Sequence, residues 1–367
     1  MTTMRAVHVR ALSQVVATTR NKPSPGPGEV LIALTYAGVC GSDTHAVAGH
    51  HPLLIPPYFP GHEATGRVVK VGEQVGQQVG QGVDDAADQS GRDSAGSRGQ
   101  AWAPGQRVIL KPNVACGQCV NCRAGRTNAC QTLAWIGCDS SGRLPGAMAE
   151  YFVAPATNLF AVPDTVSDEA AALVECLSTP VHAVRIAGDI SGGRAVVIGG
   201  GTIGLFAVIA ARLAGAGRIA VTDLDPAKLA RALRHGADQA VDAAAPDAAE
   251  QVVEALGGPA DIVFDCVANE DSTRQAFRLL RHAGKLMVVG VPPREFTVPM
   301  PYLQDWEIAI QGCANYTAED IDAAIAIAAR GELPASEVVS QVYSIDEATA
   351  AFAAAALNSS GKVLIRP

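Results

Sequence analysis

Residues 195–211 read AVVIGGGTIGLFAVIAA: a short apolar strand-like run, three consecutive glycines, then an apolar helical run. Gly199, Gly201 and Gly204 form a G-x-G-x-x-G directly after the strand, with Thr202 and Ile203 between the last two glycines. Glycines there allow a tight turn, a close approach of backbone to a pyrophosphate, and close helix–strand packing. The helix N-terminus then receives the phosphate charge. Asp223 lies 19 residues beyond Gly204, at the end of the next strand-like run RIAVTD. A carboxylate there accepts hydrogen bonds from an adenosine ribose and repels a 2′-phosphate, and Leu224 brings no compensating charge. The pattern predicts NAD rather than NADP. The alternative is an ordinary glycine-rich turn with a surface aspartate.

The rhythm around this stretch extends the reading. Runs at 195–199, 218–223, 239–242, 261–266 and 285–290 have buried-strand composition, with helical stretches such as 226–234 and 271–281 between them. Asp225 followed by Pro226 is an N-cap with proline at the first helical position. Strands alternating with helices every 20 residues or so predict a doubly wound parallel sheet. Upstream, a helix is expected from Ser167 to Thr179, with Pro180 disturbing its continuation. Before it, 29–36, 64–71, 106–111 and 150–154 are short β-rich runs punctuated by Gly and Pro, as an all-β, barrel-like domain would be. Downstream, helices are expected at 317–330 and 346–357. The closing GKVLIRP (361–367) has no place in the alternating rhythm and is expected to return to the first domain. Residues from about 73 to 103, rich in Gly, Gln, Asp and Ser, read as a flexible surface insertion.

Composition excludes several classes. The 367 residues and 37.7 kDa suit two or three domains. The net charge of −8 gives no footprint for nucleic acid or an anionic membrane. With 48% hydrophobic and 17% charged residues the chain is globular rather than disordered. The longest uncharged apolar run is 195–211 itself; a spanning helix needs about 20 apolar residues, and three glycines suit a turn better. The N-terminal MTTMRAVHVR has no apolar signal-peptide core, so a cytoplasmic location is expected.

Nine cysteines are unevenly spread. Cys116, Cys119, Cys122 and Cys130 give C-x2-C-x2-C-x7-C, a spacing from which four thiolates can close a tetrahedral zinc site with no open position. An iron–sulfur cluster is the other four-cysteine option. Further upstream lie Cys40-Gly41-Ser42-Asp43-Thr44-His45 and Gly61-His62-Glu63. A thiolate, an imidazole and two carboxylates suit a catalytic zinc with one position left for water or substrate. Each of these residues alone would more often be packing.

Taken together, GVCGSDTH, PGHEATG, the cysteine cluster, GAMAEY, ALVECLSTPVHAV, VVIGGGTIG and the final strand resemble the zinc-dependent medium-chain dehydrogenase/reductases, the alcohol dehydrogenase superfamily. The similarity is greatest to the sorbitol, glucose and threonine dehydrogenase branch. It implies an α/β chain with a GroES-like β-barrel catalytic domain, 1–162 and 305–367, and a Rossmann NAD-binding domain, 163–304. The structural zinc lobe would cover about 112–131. The resemblance makes Cys40, His62 and Glu63 ligands of a catalytic zinc, with Glu175 in LVECLST as a further ligand and Cys176, one position away, as its alternative. Ser42 corresponds to the hydroxyl that takes the substrate proton, and His45 to the imidazole that passes it towards solvent. Asp43 corresponds to an acid that orients a ligand, and Asp223 with Lys228 to the ribose-contacting pair. Two departures stand out: the family's short turn is replaced by the 73–103 insertion, and its usual Glu-Pro reads Glu175-Cys176.

The implied activity is zinc- and NAD-dependent oxidation of a secondary alcohol, polyol or sugar-like hydroxyl to a carbonyl by hydride transfer, with two zinc ions per chain. Oxidation of L-threonine at its 3-hydroxyl is the alternative within the family, and a non-catalytic NAD-binding protein is the alternative outside it. The implied partners are a small alcohol and one or three further copies of the chain, with no nucleic acid or membrane.

Overall fold

The structure, a computed structural model, describes residues 2–51, 54–76, 101–292, 294–357 and 361–367. Most of the 73–103 segment expected as an insertion, residues 77–100, lies outside them. Nine strands come first: β1 (Thr3–Ala11), β2 (Gln14–Asn21), β3 (Glu29–Val39), β4 (Glu63–Val71), β5 (Arg107–Leu110), β6 (Asn113–Val114), β7 (Ala134–Trp135), β8 (Tyr151–Pro155) and β9 (Leu159–Ala161). Six follow: β10 (Arg194–Ile198), β11 (Arg218–Asp223), β12 (Gln239–Asp242), β13 (Ala260–Asp265), β14 (Leu280–Val288) and β15 (Ala309–Gly312). Strands β16 (Val339–Ser344) and β17 (Lys362–Arg366) come last. The helices used below are α1 (Gly41–Val47), α2 (Val120–Arg123), α3 (Asp168–Ala187), α4 (Thr202–Leu213), α5 (Pro226–Arg234), α6 (Ala248–Leu256) and α7 (Glu270–Leu279).

The chain divides into two units. One comprises Met1–Glu175 with Thr317–Asn358 and Lys362–Pro367, the other is built around Cys176–Tyr316. In the first, one sheet runs β16-β17-β3-β4-β5-β9, with β8 also on β3. All its pairings are antiparallel except β16 with β17. Val30, Ile32, Val363 and Ile365 share one apolar cluster under this sheet. The closing strand does return to the first unit: Val363 faces Val39 and Leu364 faces Gly38 on β3. That register brings the ends of a sequence separation of about three hundred residues side by side.

In the second unit six parallel strands run β12-β11-β10-β13-β14-β15. The order reverses between β10 and β13, and ligands of such sheets bind at the carboxyl ends of the strands beside that reversal. Val197, Ile219 and Ala207 pack on one face of the sheet, and Val196, Val252 and Phe277 on the other. The strands are therefore apolar on both sides, which is why they read as continuous runs.

Two details differ from the sequence reading. Helix α3 continues through Pro180 to Ala187 instead of being broken there. A proline inside a helix costs about 3 kcal/mol, and the burial of Leu173, Val174, Leu177, Ala183 and Val184 along α3 offsets it. This is also the one described helix long and apolar enough to span a bilayer, and 83% of its apolar window is buried in the protein. The units divide at 175/176 and 316/317, compared with the expected 162/163 and 304/305. Residues 305–316 go with the parallel sheet because β15 pairs with β14 as its sixth strand.

Candidate active site

The turn between β10 and α4 has the geometry that the glycine spacing predicts. Gly199 adopts φ +92°, and Gly204 lies so close to the Gly199 carbonyl that a Cβ there would collide with it. Nothing lies within 4 Å of where a Cβ of Gly201 would stand. Gly201 caps α4 without a side-chain hydrogen bond, so the N–H groups at Thr202 and Ile203 remain for a ligand. An anionic pyrophosphate fits this cradle. Asp223 ends β11 with Oδ2 accepting from the Gly200 N–H at 2.6 Å and Oδ1 from the Asp225 N–H at 2.9 Å. Both oxygens are thereby fixed, each with a lone pair to spare. Lys228, in the first turns of α5, packs its Cβ beside Gly200. A cavity of about 550 Å³ opens here, lined by Thr222, Asp223, Leu224, Val267 and Arg274 among others. Leu224 and Val267 are 72% and 42% exposed, apolar surfaces suited to a flat ring. Replacing Gly204 by alanine is expected to cost about 2 kcal/mol through overpacking and to weaken dinucleotide binding at least about tenfold, read by thermal melting and cofactor titration.

The four clustered cysteines converge in the first unit. The Cys116–Cys122 and Cys119–Cys130 sulfurs are each 4.0 Å apart, and all four lie within 4.8 Å of one another. Ligands about 2.3 Å from a tetrahedral zinc are about 3.8 Å apart. This spacing fits a single ion better than a cluster of several irons. No cysteine is in a disulfide. Backbone N–H groups of Gln118 and Cys119 lower the Cys116 thiol to about 6, towards the thiolate that metal binding requires.

A second donor set, Cys40, His62 and Glu63, also has its ligand atoms within 4.8 Å of one another. The pairing of β3 with β4 creates it. Gly38 faces Glu63 across the ladder, Cys40 follows β3 as the N-cap of α1, and His62 immediately precedes β4. Gly38 is required, because any Cβ there would strike the Glu63 carboxylate. Sulfur, imidazole nitrogen and carboxylate oxygen form a mixed set that suits zinc with an open position.

The surroundings of His62 favour a cation. Burial opposes charge on its ring, yet the Cys138, Asp43 and Cys40 groups outweigh that and raise its proton affinity well above the ordinary value. Cys138 Sγ lies 3.6 Å from Nδ1 and Asp43 Oδ1 lies 3.8 Å from it. Ser42 Oγ is 3.4 Å from Nε2, and Trp135 stands edge-on at 5.7 Å. His45 is exposed on α1, three residues after Ser42 and so on the same helix face. Glu63 has a counter-charge that the sequence reading did not name: Lys362 Nζ donates to both carboxylate oxygens at 2.7 Å, with both side chains buried. Burial would raise the Glu63 pKa, but Lys362 outweighs it and holds the group below its usual value.

Glu175 and Cys176 are buried on α3, and neither belongs to the Cys40–His62–Glu63 set. The three grouped residues share one strand junction, whereas Glu175 comes from a helix at the end of the first unit. Cys138 and Lys362 lie outside the residues to which the sequence pointed. For Lys362 a signal existed, a lysine opening the closing strand ahead of Val363, Leu364 and Ile365. For Cys138 the sequence offers none, since packing explains it equally well.

Comparison with known proteins gives the family. The profile described as "Zinc-binding dehydrogenase" matches residues 202–330, and "Alcohol dehydrogenase GroES-like domain" matches 26–92 and 87–164. L-galactonate-5-dehydrogenase of Escherichia coli is 30% identical over 94% of this chain and 92% of its own. Sorbitol dehydrogenase of Bacillus subtilis is 29% identical over 94% and 91%, and L-threonine 3-dehydrogenase of Alteromonas mediterranea 28% over 94% and 94%. A Sinorhizobium meliloti protein solved with NADP superposes with a TM-score of 0.84 at 29% identity, covering all of both chains. The chain belongs to the zinc-type medium-chain dehydrogenase/reductases, the alcohol dehydrogenase superfamily. It is an oxidoreductase that acts on hydroxyl groups and uses zinc and a nicotinamide cofactor.

Proposed function

We propose that the enzyme oxidises a secondary alcohol, polyol or sugar-like hydroxyl with NAD, using one catalytic zinc held by Cys40, His62 and Glu63 and one structural zinc held by Cys116, Cys119, Cys122 and Cys130. The observation that carries this reading is the convergence of a thiol, an imidazole and a carboxylate within 4.8 Å, with the Ser42 hydroxyl alongside. When bound, the metal acidifies a hydroxyl and the nicotinamide ring accepts hydride. The chain's own residues then hold and move the proton: Ser42 Oγ takes it, and His45, on the same face of α1, passes it to solvent. Asp43 and Cys138 flank the His62 Nδ1 and orient the ring, so that Nε2 would be the nitrogen left to hold the metal.

NAD is favoured by the Asp223 carboxylate, whose fixed negative charge opposes a 2′-phosphate. Lys228 is placed to join it at the ribose. The relative solved with NADP makes NADP the competing choice. L-threonine is the second substrate reading, supported by the threonine dehydrogenases among the relatives. Two or four copies in the cytoplasm, with a small alcohol as the other partner, complete the proposal; the exposed edge strand β15, with Ile310 38% exposed, supports self-association.

A panel of polyols, sugars, L-threonine and simple alcohols, run with NAD and NADP on zinc-replete protein and followed by reduced-cofactor absorbance, tests it. NAD should be preferred by at least about tenfold in kcat/KM. Absence of turnover across the panel, or preference for NADP, would count against it. Cys119→Ala should lower bound zinc from two per chain to one and lower the melting temperature, while the Cys40 set stays loaded. Elemental analysis beside a melting curve reads both.

A further inference from the structure

Tyr58 is buried to 2% exposure in the apolar cluster of the first unit, and its backbone is pinned to Val9 by two 3.0 Å hydrogen bonds. Its hydroxyl has no hydrogen-bond partner. Phenylalanine would fill the same space without burying an unpaired donor, and an orphaned buried hydroxyl is costly. A second buried polar atom, on a carboxylate whose charge reaches the Tyr58 phenol, is orphaned too: Asp43 Oδ1, on a side chain with no exposure. The other Asp43 oxygen, Oδ2, is committed to the Cys40 N–H at 3.1 Å. Asp43 Oδ1 is an obligate acceptor when ionised, and it stands 3.8 Å from His62 Nδ1, beyond a good hydrogen bond. Burial first, and then the Asp43 carboxylate, raise the Tyr58 phenol, so its hydroxyl stays a donor.

From these two orphans we infer that Tyr58 is a positioning residue: its hydroxyl donates to Asp43 Oδ1 through one bridging water, and so fixes the carboxylate that steadies His62 for metal binding. Cys138, 3.6 Å from the same Nδ1, is the weaker acceptor, because a thiol sulfur accepts poorly. With Tyr58 holding Asp43, the imidazole Nδ1–H is drawn to the carboxylate and Nε2 is presented to the metal. Without it, Asp43 keeps only its Cys40 contact and the ring can settle on Cys138. The inference rests on the catalytic-zinc reading above.

The test is Tyr58→Phe in the zinc-replete protein, with three readouts. Zinc loss to a competing chelator should become at least about tenfold faster at the Cys40–His62–Glu63 set and unchanged at the four-cysteine site, which serves as an internal control. The visible spectrum after cobalt substitution should shift, and Asp43→Asn should show no further effect when Tyr58→Phe is added. A variant that keeps zinc as the parent does and melts at the same or a higher temperature would overturn the inference, since that is how the removal of a truly orphaned hydroxyl behaves. A crystal structure of the parent holoenzyme decides the matter if the variant does not fold. Tyr58 Oη sharing a water with Asp43 Oδ1 supports the role; separation without a shared water ends it. If the parent binds only one zinc per chain, the catalytic-zinc reading itself fails, a result distinct from either outcome for Tyr58.

Discussion

Cys40→Ser is expected to abolish turnover and leave NAD binding largely intact. The thiolate is the one soft ligand in the Cys40–His62–Glu63 set, and serine is not ionised at neutral pH, so the site loses both a charge and its strongest zinc donor. Losing the Lewis acid removes several kcal/mol of transition-state stabilisation, and about 4 kcal/mol already corresponds to a roughly thousandfold loss. Residue 40 also caps α1, and serine is a good N-cap, so the helix should survive. The Asp43 carboxylate accepts from the residue 40 backbone N–H, a bond the substitution keeps. On the proposed reading, cofactor affinity depends on Gly199–Gly204 and Asp223, which belong to the other unit. The paired measurement is kcat/KM with the best substrate beside a dinucleotide titration. Activity equal to the parent would remove the catalytic metal from the proposal, and loss of both activity and dinucleotide binding would point to misfolding.

The parts of this protein legible in its sequence are those where a chemical requirement fixes residue type and spacing locally. The turn at Gly199–Gly204 needs glycine for its own geometry, and the four cysteines need short loops to converge on one ion. Both were read directly. The five parallel-sheet runs before β15 were legible because burial on both faces makes them uniformly apolar. Strand β16 (VSQVYS) has no clean alternation to mark it, and helix α6 lies outside the sequence reading although Asp247 and Gly257 bracket AAEQVVEAL as start and stop. Helix α3 runs through Pro180 because burial outweighs the local propensity that the sequence shows. Contacts between residues distant in sequence were the least legible. Lys362 meets Glu63 only because β17 pairs with β3, and Cys138 meets His62 across 76 residues of sequence. In each case the chemistry is set by register, which no single stretch of sequence states.

Lys362→Met should be the most destabilising single change outside the hydrophobic clusters. Lys362 and Glu63 are 7% and 1% exposed, and removing one partner of a buried ion pair costs about 3–5 kcal/mol because the other charge is left uncompensated. That is a large share of a typical stability of about 5–15 kcal/mol. The pH dependence distinguishes this cause from lost packing. In the parent, Lys362 holds the Glu63 pKa below its unfolded-state value of about 4.3. The pair therefore contributes its stability above that value and loses it as the pH falls through the lower, folded one. In Lys362→Met only burial remains, so the Glu63 pKa rises above the unfolded value. The folded state then binds the extra proton, and stability falls as the pH rises. The deficit relative to the parent should thus grow between pH 5 and pH 8, and grow more after the metal is stripped by a chelator, since a divalent ion beside Glu63 supplies part of the missing charge. Glu63→Gln added to Lys362→Met removes the stranded charge and should recover much of the loss, a coupling that a double-mutant cycle measures. A deficit independent of pH, or one the double variant does not reduce, would mean that Lys362 stabilises β17 by packing its aliphatic stem rather than by neutralising Glu63.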